Sequence, residues 1–217
     1  MWGVPATPPF TAADKSQKPP PHEPKTNPTI FPDAFVASFR PIFLIRHPAL
    51  SFESWYRAES AARHVDIFDK AWSFYTTFQY SRQMHDWYLA RAVKSQKGSD
   101  DDTDATMMPI VIEADDMLEE KATIDKLCDM LGMDKACVPR EWEVIQAPVG
   151  AGCRELKFMS GYWNSTAVDR SKSSRGLDLA GRRETWKREF GDEVGEELWR
   201  LVLAAMPDYE YLKGRRI

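Results

Sequence analysis

At 217 residues and 43% hydrophobic content, the chain is long enough for one well-packed domain and short for two. Its formal net charge of −4 argues against nucleic acid as the bulk partner, so an anionic ligand has to be held by local basic residues. Cys128, Cys137 and Cys153 form no CxxC pair and no zinc-ligand spacing with a histidine, which argues against a disulfide framework and against a metal site.

Residues 1–32 are rich in proline, including Pro8-Pro9 and Pro19-Pro20-Pro21, with few apolar residues at any period. They are expected to be an extended, disordered arm. Their first ten residues have neither the basic start nor the apolar stretch of a leader peptide. The longest apolar run, residues 41–45, is too short to cross a bilayer, so a soluble, cytoplasmic setting is expected.

Residues 33–39 read as a short helix, and residues 41–45 (PIFLI) as a buried parallel strand. Pro48 suits the first position of a helix, where its missing N–H is no loss, and that helix runs on through residues 50–64. Residues 69–94 read as another helix, aromatic along its length, and residues 94–106 (KSQKGSDDDTDAT) as an exposed acidic loop. Residues 108–114 (MPIVIEA) are a second core strand, with Asp115 and Asp116 as a turn and helix cap. Residues 119–131 then form an amphipathic helix with Ile124, Leu127, Cys128 and Leu131 on one face and Gly132 as its cap. A polar, serine-rich stretch over residues 162–179 precedes a last helix at 184–205. Alternating strands and helices of this kind predict a parallel α/β sheet with helices on both faces.

The segment most suited to chemistry is residues 41–57, PIFLIRHPALSFESWYR. A buried strand ends at Arg46, a proline-started helix follows, and Ser54 lies two turns into it. A helix N-terminus offers free N–H groups and partial positive charge to an anion, and a strand-end arginine adds a charge-assisted grip. Ligands also tend to bind at the carboxyl ends of strands in open α/β sheets. The plain alternative pairs Arg46 with an acid and leaves Ser54 as a polar helix residue.

This layout resembles that of sulfotransferases, which use it to bind the 3′-phosphate of 3′-phosphoadenylyl sulfate. Trp55 and Tyr56, the Asp86–Trp87–Tyr88 segment, and IVIEADDMLEEKATIDKLCDMLGMD follow in that family's order. GRRETWKREF keeps Gly181, Trp186, Lys187 and Phe190 at comparable spacing to the family's closing basic segment. The basic pair expected before the glycine is replaced by Leu179 and Ala180. Arg182 and Arg183 follow the glycine instead, and either reach the same phosphate or open a surface helix. Lys172, Ser173, Ser174 and Arg175 are a basic lid on one reading and a solvated loop on the other. The match is similar in detail to divergent sulfotransferase-like proteins of filamentous fungi, some of which accompany small-molecule biosynthesis and secondary metabolism.

The resemblance implies an arm at 1–32 and a sulfotransferase-like α/β domain at 33–217. The implied fold is a three-layer parallel sheet flanked by helices, of the P-loop NTPase-like type and truncated at its N-terminus. It also implies nucleotide-binding roles for Arg46, Ser54, Gly181, Arg182 and Arg183. 3′-Phosphoadenylyl sulfate would be the donor, adenosine 3′,5′-bisphosphate its product, and a small, apolar or aromatic hydroxyl compound the acceptor.

Two family features have no counterpart in the 217 residues. No Lys-Ser-Gly-Thr-Thr-Trp loop occurs to hold the 5′-phosphosulfate, and Gly150–Gly152 (GAG) lacks the strand and lysine to replace it. Asn27 in Lys25-Thr26-Asn27 stands where the family's general-base histidine belongs, and an amide cannot take a proton from a hydroxyl. His22 lies nearby among prolines, and Ala114 replaces a tyrosine expected before the acidic turn. The chain therefore reads either as a truncated product or as a loop-less branch. The alternatives to sulfuryl transfer are a non-catalytic or partner-dependent scaffold, with an oligomer covering an open sheet edge, and a biosynthetic enzyme of other chemistry, such as a cyclase. His64 and His85 read as packed or surface residues, and Asp100, Asp101, Asp102 and Asp104 lack the spacing of a calcium loop.

Overall fold

The structure, a computed structural model, describes residues 25–96 and 108–217. Most of the proline-rich arm and the acidic run at 100–104 lie outside these residues, as does His22. The elements are α1 (Asp33–Ala37), β1 (Ile42–Ile45), α2 (Pro48–Ala62), α3 (Gln79–Gln96), β2 (Ile110–Glu113), α4 (Ala114–Glu119), α5 (Lys121–Leu131), α6 (Cys153–Trp163), α7 (Leu179–Phe190) and α8 (Asp192–Lys213). The protein is thus mixed α/β and mostly helical.

β1 and β2 pair in parallel, with Ile42 opposite Ile110 and Ile45 opposite Glu113. Ile217 N–H donates to the Val111 carbonyl at 3.0 Å, so the last residues line the far edge of β2. All of β2 is buried. In β1 the period-two alternation is visible: Phe43 and Ile45 turn toward α3 and α8, while Ile42 and Leu44 are 44% and 61% exposed. The middle of the expected three layers is therefore, among the described residues, a parallel pair whose β1 is covered on one face. A strand buried on both faces is realised in β2 and not in β1.

Helix boundaries differ from the pattern in three places, each with a local cause. The expected helix at 69–94 begins as a separate 3₁₀ turn, Lys70–Tyr75, capped by Asp69, and α3 restarts after the β-branched pair Thr76-Thr77. Trp72 and Tyr75 in that turn pack on Trp55, with Tyr75 stacked at 5.5 Å. The segment after β2 breaks at Glu120 into α4 and α5, and Gly132 closes α5 in the left-handed conformation (φ 66°) as its position suggests. The last expected helix is two, α7 and α8, divided at Gly191 with φ 93°, a value that glycine adopts without strain. Helix α6 has no forecast in the sequence pattern; Glu155 reaches back to the Gly152 N–H at 3.0 Å to start it.

α2, α7 and α8 enclose the main core, built on Phe52, Trp186, Leu198 and Val202, each at most 2% exposed. Gly195 lets α8 approach α7 closely, because a Cβ there would come within 2.6 Å of the Lys187 nitrogen. Two carboxylates of α2 face inward. Glu53 accepts from buried Trp186 Nε1 at 2.9 Å, from Arg182 at 3.1 Å and from Arg57 at 2.8 Å. Glu59, 0% exposed, accepts from Arg63 and from Arg154 of α6, which ties α6 to α2. A buried carboxylate held by several donors is tolerated, but removing it leaves those donors unpaired. Glu53→Ala is expected to lower stability by about 3 kcal/mol, and Glu53→Gln, which keeps an acceptor for Trp186, by less, both read from urea denaturation.

Candidate functional site

Both strands end at one level, and their ends carry a polar cluster. After β1 the chain continues through Arg46 and His47 into Pro48, the first residue of α2. His47 Nδ1 accepts the Ala49 N–H at 3.2 Å, which caps the helix and assigns the neutral ring's proton to Nε2. Burial, and then the nearby Lys213 charge, hold the His47 pKa below its usual value. After β2, the buried Glu113 carboxylate accepts the Asp115 N–H at 2.6 Å and the Tyr209 hydroxyl at 2.9 Å. Burial pushes the Glu113 carboxyl up, with Tyr209 working in the opposite direction. The Tyr209 hydroxyl is pushed up as well, by burial and then by the Glu113 charge. The His47 and Tyr209 rings meet edge to face at 5.4 Å, so α8 joins the two strand ends through one tyrosine.

A strap at residues 170–175 crosses these ends. Arg46 Nη2 donates to the Lys172 carbonyl at 2.9 Å. The Ser174 N–H donates to Asp115 at 2.9 Å, and the Ser174 hydroxyl donates to the other oxygen of the same carboxylate. Ser173 bonds to Glu119, and Arg175 reaches Glu119 at 2.5 Å, Glu120 at 2.9 Å and Asp116 at 3.6 Å. The segment that the sequence left as a lid or a solvated loop is thus tied to the acids of α4 and its C-cap. Arg46 itself has no carboxylate within ion-pair distance among the described residues, and its Nε is buried there without a hydrogen-bond partner. The acid-paired alternative for Arg46 has no counterpart in this geometry.

The other sequence-derived candidates divide. Gly181 and Arg182 line an open depression of about 440 Å3 together with Ser173, Arg175, Asp178 and Thr185. Asp178 caps α7 by accepting the Gly181 N–H at 3.0 Å, and a Cβ at Gly181 would run into that carboxylate. Arg182 is paired with Glu53. Arg183 instead bonds to Glu196 at 2.5 Å and lies over the Trp199 ring, away from the depression. Ser54 is exposed on α2; Ser51, one turn nearer the strand, is the residue whose hydroxyl approaches the Arg46 carbonyl, at 3.5 Å. The structure therefore brings Arg46, the strap, Gly181 and Arg182 into one neighbourhood, and it leaves Arg183 outside.

Asn27 is buried and organises a turn: it donates to the Phe31 carbonyl at 2.9 Å and to Asp33 at 2.5 Å, and accepts the Thr29 N–H at 2.8 Å. The donors Thr26 and Asn27 hold the Asp33 carboxyl far below the usual range, against the opposing effect of desolvation. Nothing at Asn27 supplies a proton acceptor on a ring nitrogen. Sequence reasoning passed over His47, Glu113 and Tyr209. A glutamate closing an otherwise apolar strand (IVIE) is the one signal that marks the cluster beforehand.

Two curated relatives, both called sulfotransferase ppzF, are similar to this chain. The one from Metarhizium majus is 36% identical over 202 residues, covering 89% of this chain and 57% of the relative. The one from Metarhizium rileyi is 35% identical over the same length and shares. The chain thus spans less than two thirds of the length of the relatives it matches. No protein-family model matches the chain, and no solved structure matches it.

The Glu113–Tyr209 bond carries a pH signature. With its folded pKa raised, Glu113 favours folding most below its unfolded pKa, and that contribution is lost as pH rises through the folded value. Tyr209→Phe removes a donor from the charged form and raises the folded pKa further. The variant is expected to lose about 1–3 kcal/mol at pH 8 and less at pH 5, measured by urea denaturation at both values.

Proposed function

We propose, from the premise that this chain belongs with the fungal sulfotransferase-like proteins, that it binds the 3′-phosphate half of a 3′-phosphoadenosine nucleotide. Arg46 supplies the charged grip at the end of β1, beside the strap; the first N–H groups of α2 are taken by His47, Ala49 on its ring and Leu50 and Ser51 on its carbonyl, so α2 adds only its dipole. Gly181 and Arg182 border the adjoining depression. The single observation that supports this most is the state of Arg46. Among the described residues Arg46 and Arg40 both lack an acid partner, with one donor on a carbonyl and a buried Nε that has none, and Arg46 is the one at the carboxyl end of β1. A buried donor of that kind is costly unless something accepts from it, and a phosphate oxygen does so.

Under this reading the activity class is sulfuryl transfer from 3′-phosphoadenylyl sulfate to the hydroxyl of a small molecule. The 217 residues contain no counterpart of the 5′-phosphosulfate loop, so binding of the 3′-phosphate is the part of the function that this chain's own residues support. The scaffold reading has its own observation: among the described residues β1 pairs with β2 alone, and its other edge suits an oligomer or another chain closing the sheet. Among the described residues no helix is long and apolar enough to cross a membrane.

Calorimetric titration with adenosine 3′,5′-bisphosphate separates the two. Saturable one-to-one binding is expected, weakened by about 100-fold in Arg46→Ala through loss of charge-assisted hydrogen bonds. Binding that Arg46→Ala leaves unchanged removes the assignment. No heat from the wild-type chain leaves the scaffold reading in its place.

A further inference from the structure

We infer that Asp115 is a positioning residue for Arg46, acting through the strap. The inference rests on the reading of Arg46 as an anion-binding group, and it starts from an imbalance at the end of β2. Asp115 is 4% exposed and sits two residues from Glu113, another buried carboxylate. Two buried acids side by side repel, and each is disfavoured by desolvation, so a packing role alone would be better filled by an uncharged residue.

What Asp115 provides is two acceptors in one plane. One oxygen takes the Ser174 N–H at 2.9 Å and the other takes the Ser174 hydroxyl. Ser174 is thereby fixed through its backbone and its side chain at once. The Lys172 carbonyl lies two residues earlier in the same strap, and it is the acceptor that fixes the Arg46 guanidinium at 2.9 Å. The route from Asp115 to Arg46 is therefore short: a bidentate clamp on Ser174, two residues of strap, one carbonyl.

The strap is also held on the other side of Lys172, where Asp169 caps the turn Arg170–Lys172 by accepting from Ser171, but that carboxylate is exposed. Arg175 is held by Glu119, Glu120 and Asp116, and it is 54% exposed, so its bonds compete with water, while Ser173 bonds to the half-buried Glu119. The Asp115–Ser174 clamp is the one whose carboxylate is itself buried, and a buried acceptor is what fixes a side chain within the tolerance that a binding site needs. Glu113 completes the arrangement by accepting the Asp115 N–H, which sets the start of α4 and hence the direction of the Asp115 side chain.

Two measurements on the full chain test this. Hydrogen exchange is expected to rise at residues 172–176 in Asp115→Ala while protection in α2 and α8 stays at the wild-type level. In titrations with adenosine 3′,5′-bisphosphate, Asp115→Ala and Ser174→Ala are each expected to weaken binding by about tenfold, and the double variant no further, because both break one clamp. Asp115→Asn, which keeps one acceptor for the Ser174 N–H and offers a donor to its hydroxyl, is expected to stay within about threefold of wild type. Strap exchange unmoved by Asp115→Ala, or losses that add in the double variant, overturn the inference. So does wild-type affinity in Asp115→Ala. If Asp115→Ala fails to fold, Ser174→Ala carries both measurements. A wild-type chain that binds nothing, while Asp115→Ala still loosens the strap, retires the nucleotide reading and leaves Asp115 as the residue that positions Arg46.

Discussion

The site depends on the parallel register of β1 and β2. Because Ile45 stands opposite Glu113, the two strands finish at one level, and the residues that follow them, Arg46 on one side and Ala114–Asp115 on the other, emerge together. A slip of one residue would exchange the faces of β1 and bring Leu44 to the position that Ile45 fills against Val111, Tyr209 and Leu212. Tyr209 reads the register directly, since the same side chain donates to Glu113 and packs on His47. Helix α8 is therefore the element that locks the strand ends, and the C-terminal Ile217 on Val111 adds to the lock from the far edge.

Many of the arginines are already neutralised by the chain itself. Glu53 holds Arg57 and Arg182, Glu59 holds Arg63 and Arg154, Glu196 holds Arg183 and Lys187, and the acids of α4 with Glu120 hold Arg175. Arg46 is not among the paired residues: its partner is a carbonyl and not a carboxylate, as is that of Arg40 at the other end of β1. A paired guanidinium has to give up its acid before it grips a phosphate, whereas Arg46 has donors to offer at once.

What was legible in the sequence follows from how local each signal is. PIFLI and IVIE are short apolar runs with flanking breakers, and Pro48 fixes where α2 starts, so both strands and that helix were readable to within a residue or two. The divided helices were less so. Nothing in the periodicity of residues 184–205 marks Gly191 as a break, because the reason is the return of α8 onto α7, with Gly195 against Lys187, which is a tertiary contact. Helix α6 is held by Arg154 on Glu59, a contact 95 residues apart in sequence. Of the candidate site residues, Arg46 stands out in the sequence because a strand-end arginine before a proline-started helix is a local pattern. The partners of Arg182 and Arg183, and the roles of Asp115 and Tyr209, depend on which helix lies beside which, and no spacing in the sequence records that.

The central claim is that Arg46, held by the strap at the level end of β1, is the anion-binding group of this chain. Side-chain 15N–1H spectra of arginine-labelled protein, recorded while adenosine 3′,5′-bisphosphate is added, address it most directly. The Arg46 Nε–H resonance is expected to move and become slow to exchange with water as the ligand saturates, while the acid-paired Arg183 and Arg57 resonances stay in place. Movement of those resonances with Arg46 unchanged would put the anion elsewhere on the molecule and contradict the account.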